Sequence, residues 1–84
     1  MIAPSKAELR LLRALGFRKG RGGFSAERFV REHDKVWVQL TGAGADAPSR
    51  HWTARVIMSG RVSKPYINTT LGGALAMGEL NGWA

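Results

Sequence analysis

Leu9, Leu11, Leu12 and Leu15, with Ala7, spread over one broad arc of a helix, while Lys6, Arg10 and Arg13 recur at i, i+4 and i+7 on the opposite side. Ser5-Lys6-Ala7-Glu8 has the spacing of a capping box, so the helix begins at Lys6. Gly16 suits the left-handed position that ends a helix, and Phe17 falls where such an ending sets an apolar residue against Leu12. A helix over 6–15 therefore packs with one face and presents cations on the other.

The period then changes. Lys35–Thr41 alternates, with Val36, Val38 and Leu40 on one side and Trp37, Gln39 and Thr41 on the other, which predicts a strand. His51–Met58 alternates likewise, with Trp52, Ala54, Val56 and Met58 on one side. Between Phe24 and Glu32 the residues fit a helical stripe or a strand. His33-Asp34 favours a strand near Arg28–Glu32, because a compact turn there closes an antiparallel hairpin with the next strand. Ser59-Gly60-Arg61 reads as a turn and Pro65 as a stop, with a short edge segment at Arg61–Ser63 or Tyr66–Ile67. Thr70 caps a closing helix over 71–80 whose Leu71, Ala74, Leu75 and Gly78 share a face, and Asn81-Gly82 ends it. The expected fold is α+β: a three-stranded antiparallel sheet with both helices on one face, in the order αβββα.

Two stretches read as connections. Arg18-Lys19-Gly20-Arg21-Gly22-Gly23 is a mobile basic loop by composition. Gly42–Arg50, rich in glycine and alanine, reads as an exposed link with no stake in the core.

A chain of 84 residues forms one domain, 1–84, and at this size buries only about two-thirds of the surface its unfolded form exposes. Without cysteine, neither a disulfide nor a thiolate zinc site reinforces that thin core, so a homodimer is physically reasonable. No run approaches the roughly 18 apolar residues of a membrane span, and the first residues lack an export signal, so the expected setting is the cytoplasm, with no membrane partner.

Charge changes the picture most. Net charge is +7, and six of the thirteen basic residues lie between Lys6 and Arg21 with Glu8 as the only acid among them. Cations so concentrated attract a polyanion, because neutralising phosphates releases condensed counterions. Arginine outnumbers lysine, and its planar fork suits phosphates and base edges. The expected partner is nucleic acid, RNA or DNA, contacted at its phosphates by Lys6, Arg10, Arg13, Arg18, Lys19 and Arg21, with Arg28, Arg31 and Lys35 extending the surface if the hairpin lies beside the first helix. Trp52 is expected in the core. Trp37, set opposite the valines and leucine of its own strand, is the candidate interface residue, and Trp83 folds back over the last helix.

Nothing in the sequence indicates catalysis, a metal or a cofactor. His33 and His51 are the only histidines, and Glu32-His33-Asp34 looks like a solvated turn. Gly73–Gly78 has Walker-like glycine spacing without the lysine that grips phosphate, so helix packing explains it better. The alternative to nucleic acid is a small protein-binding modulator or inhibitor, encoded by a mobile element, that meets an acidic protein surface through Trp37, the sheet face and the arginines.

The order of elements, with Leu15-Gly16-Phe17 ending the first helix, resembles the αβββα layout of double-stranded-RNA-binding domains and of HicA-type messenger-RNA interferases. The second family carries a Gly-Ser-His segment whose histidine cuts RNA, where this chain has Gly22-Gly23-Phe24-Ser25. With no histidine there, the resemblance implies an RNA- or DNA-facing scaffold and carries over no catalytic residue.

Overall fold

A computed structural model of the chain describes residues 3–20, 26–42 and 50–84. Arg21, Gly22 and Gly23 of the predicted loop, Phe24 and Ser25 after it, and 43–49 of the predicted link lie outside them. Helix α1 spans Lys6–Ala14. Its capping box is formed: the Ser5 hydroxyl accepts the Glu8 N–H at 3.1 Å, and the Glu8 carboxylate accepts the Ser5 N–H at 2.8 Å. At the other end Gly16 takes φ +86°, its N–H reaches the Arg13 carbonyl at 3.1 Å, and the Phe17 N–H reaches the Leu12 carbonyl at 2.9 Å. Both bonds of the Schellman ending are present. Of the leucine arc, Leu12 is buried, Leu9 and Leu15 pack partly against the core, and Leu11 is exposed.

The sheet is wider than three strands. The predicted trio exists as β2 (Ala26–Arg31), β3 (Val36–Thr41) and β4 (His51–Met58), all antiparallel neighbours. Outside β2 lies β1 (Arg18–Lys19), paired with Val30 and Phe29, so the first two residues of the predicted mobile loop are a strand. Beyond β4, two short strands share its edge: β6 (Tyr66–Asn68) along Trp52–Ala54 and β5 (Arg61–Val62) along Ile57–Met58. The edge segment expected at Arg61–Ser63 or Tyr66–Ile67 forms at both places, whereas the two residues of β1 show too little alternation to be read from side chains, since backbone hydrogen bonding to a longer neighbour is what holds them.

Register sets one face of the sheet inward. Phe29, Val36, Val38, Leu40, Trp52, Ala54, Val56 and Tyr66 form one cluster with Leu12 of α1 and with Leu71, Ala74 and Leu75 of α2 (Leu71–Leu80). Both helices therefore cover the same face, as expected. The N-terminus of α2 is capped by the Thr70 hydroxyl, which accepts the Gly73 N–H at 3.0 Å. Its C-terminus repeats the device of α1, with Gly82 at φ +62° and the Trp83 N–H on the Gly78 carbonyl at 2.8 Å.

That second closure folds Trp83 onto the helix and edge-on to Tyr66, ring centroids 5.7 Å apart. Gly78 makes the approach possible, since a Cβ there would come within 2.2 Å of the indole. Gly78→Ala is expected to cost about 1–3 kcal/mol by forcing the ring away, read as a lower urea midpoint with a change in tryptophan emission. An unchanged midpoint would show that the ring contributes nothing in this position.

Arg50 corrects the reading of its segment as an idle link. Its guanidinium grips both oxygens of Glu8, one at 3.1 Å, and reaches the Ala3 carbonyl at 3.3 Å. The wholly buried Trp52 donates its indole N–H to Glu8 Oε2 at 2.6 Å. Glu8 thus fastens α1 to the start of β4. The Arg50 hydrogen bond, opposed by burial and assisted by the Ser5 N–H and Trp52, lowers the Glu8 pKa from 4.5 to about 2, while the carboxylate raises that of Arg50.

Candidate nucleic-acid interface

The face of the sheet away from the helices carries the other half of each alternation. Trp37 lies across from Val30 of β2 and Arg55 of β4, and Gln39 lies across from Arg28 and Thr53. The Arg28 guanidinium sits 4.4 Å from the centre of the Trp37 ring, and Arg55 approaches the same ring at 5.8 Å. Arg28 is also fixed by its neighbour, since its Nε and Nη2 donate to Gln39 Oε1 at 3.2 and 2.8 Å. A cation held over an indole is stabilised by the negative face of the ring. Gln39 contributes a neutral oxygen, so the positive charge of Arg28 stays uncancelled.

Four of the five described side-chain carboxylates are engaged elsewhere, and the fifth, Glu79, is exposed on α2. Glu8 pairs with Arg50, Glu27 with Lys19 at 3.5 Å, Glu32 with Arg18, and Asp34 with Arg31 at 2.8 Å. Among the described residues no ion pair involves Arg28 or Arg55. The centre of this face is therefore an aromatic ring between two cations that no described carboxylate pairs.

The predicted basic surface divides in two. Lys6, Arg10 and Arg13 are exposed on the outer side of α1, with no ion pair among the described residues. Arg28 and Trp37 are on the far side of the sheet, so the hairpin does not extend the helix surface. Arg18 and Lys19 hold the edge strand β1, each with its acidic neighbour. Lys35 is exposed in the hairpin turn at φ +61°, and its carbonyl accepts the Ile57 N–H at 3.1 Å.

Arg31 departs most from its expected role. Register sets it on the inner face beside Val36, where it binds Asp34, donates to the Leu15 carbonyl at 3.1 Å and lies 4.8 Å over Phe17. Its side chain is only 11% exposed, which removes it from any phosphate surface. Burial pushes the Asp34 carboxyl up, but the Arg31 hydrogen bond and charge, together with the Val36 N–H, leave it below its ordinary value. Arg55, by contrast, was not among the predicted contacts. Alternation along β4 sets it opposite Trp52 and so on the face of Trp37, and that was the available signal.

A cleft of about 480 Å³ opens where α1 meets β1 and β2, lined by Pro4, Leu9, Arg13, Phe17, Lys19 and Phe29 among others. Phe17 and Phe29 are each 6% exposed, so these two rings offer a ligand little surface there. Among the described residues no three histidines or carboxylates group as metal ligands. No described helix is long and apolar enough to cross a membrane. Comparison with known protein families, with curated proteins and with solved structures finds no match to this chain.

Proposed function

We propose that the protein binds nucleic acid without catalysing a reaction, and that its open sheet face is the principal contact. The observation that carries this reading is Trp37 between Arg28 and Arg55, with neither arginine neutralised by a described carboxylate. Phosphates neutralise such cations, and the ring and the Gln39 and Thr53 side chains add contacts a simple anion would not use. The stripe Lys6, Arg10 and Arg13 on α1 supplies further phosphate contacts from the other side of the molecule.

The test is a titration of labelled RNA and DNA strands at rising salt. Affinity is expected to fall steeply between about 50 and 200 mM, with a log–log slope that reflects the number of phosphates neutralised. Arg28→Ala with Arg55→Ala should reduce that slope by about one per lost contact, and Arg10→Ala with Arg13→Ala likewise if the helix contributes. Trp37→Ala should lower affinity far more than it lowers chemical stability, because the residue is half-buried on an open face. A flat salt response would sink the proposal.

A second reading has its own support on the same face. Ile57, Val62 and Ile67 are 43%, 50% and 50% exposed and lie on the Trp37 side, which suits an acidic protein partner with an apolar centre. Loss of nucleic-acid binding together with capture of one discrete acidic protein, released by Trp37→Ala, would favour it.

A further inference from the structure

We propose that the open face selects single-stranded nucleic acid, one base stacking on the platform made by Arg28 and Trp37. This rests on the nucleic-acid reading above and adds the form of the ligand. Three features of the face carry it: its shape, its planar groups and its balance of charge.

The face spans β2, β3, β4 and β6, three inter-strand spacings or about 14 Å before side chains are added. A major groove is about 12 Å wide and admits a helix or a two-stranded ribbon, so a sheet this broad cannot enter it face-on. A duplex laid on the face would offer it phosphates and little else. Unpaired bases, by contrast, expose both of their own faces and their pairing edges.

The side chains match what an unpaired strand exposes. Single strands are gripped by stacking on aromatic rings or on arginine planes, with cations nearby for the backbone. Arg28 supplies such a plane, immobilised before binding by two bonds to Gln39 and by the indole beneath it. Little ordering entropy is left to lose when a base settles on it. Arg55, on the other flank of Trp37, is placed for the phosphate of the stacked nucleotide or its neighbour. Gln39, Thr41 and Thr53 bring hydrogen-bonding groups to the same face.

Three probes of equal length, about 12 nucleotides, separate stacking from charge: an oligothymidylate, an abasic phosphodiester strand and a duplex. The wild-type protein is expected to bind oligothymidylate about tenfold more tightly than the abasic strand, and to lose tryptophan fluorescence only with the former. Arg28→Lys keeps the charge and removes the plane. It should weaken oligothymidylate binding about tenfold and leave abasic binding within about twofold. Equal affinity for oligothymidylate and the abasic strand, or tighter binding of the duplex, overturns the inference while phosphate binding stands. Failure of all three probes to bind removes the nucleic-acid reading itself. The wild-type comparison alone decides the matter should the variant fold poorly.

Discussion

Glu8→Ala is expected to lower the unfolding free energy by about 3 kcal/mol, because one substitution strips partners from several buried or half-buried groups. The Trp52 indole N–H is left without its acceptor inside the core, Arg50 loses its counter-charge, and α1 loses the reciprocal half of its cap. A domain of this length holds roughly 4–13 kcal/mol in total, so the melting temperature should drop by on the order of 10–20 °C. An ordinary surface glutamate would move it by a degree or two.

The same residue sets the acid response. Its folded pKa of about 2 is below the unfolded value of 4.5, so the ionised form stabilises the protein in full above pH 4.5. That contribution is lost as pH falls from about 4.5 towards 2. Asp34 shifts in the same direction, so the informative quantity is the difference between wild type and Glu8→Ala. The gap should be constant near neutrality and close through this window. A gap independent of pH would show that charge on Glu8 contributes nothing and that only its packing matters.

Leu12→Ala is expected to cost about 2–5 kcal/mol, enough to leave much of the chain unfolded if wild-type stability lies at the low end. Leu12 is 1% exposed and is the one residue of α1 fully inside the core cluster. The adjacent Leu11 is 37% exposed, and Leu11→Ala should cost about 0.5 kcal/mol or less. Chemical unfolding of the two variants side by side tests which face of α1 is inward. Equal losses would mean that the helix is rotated from the position described.

What could be read in advance was whatever a few consecutive residues encode. Both helix caps, both glycine-aromatic endings and the alternation of β3 and β4 are local, and each appears at its expected place. The link from Glu8 to Arg50 and Trp52 joins residues 42 and 44 positions apart, and no local spacing announces it. The pairing of β6 with the first half of β4 is hidden for the same reason. The layout of the cations is hidden for a different reason. Charge along the chain says how many arginines there are, but the pleat of β2 decides that Arg28 turns outward while Arg31, three residues on, turns towards Val36 and Phe17. Phe29 is on the inner face, and counting two residues from it would have shown Arg31 there too.

The short outer strands have a consequence for self-association. An open sheet with an aromatic centre invites another chain to add a strand at its margin and begin a fibril. Among the described residues one margin is the two residues Arg18 and Lys19, and the other is broken between β5 and β6 by Lys64 and Pro65. An incoming strand would run out of hydrogen-bonding partners almost at once, and a copy of this chain would bring like charge against like. The broad face can thus stay open to a ligand while the edges discourage growth into a continuous sheet.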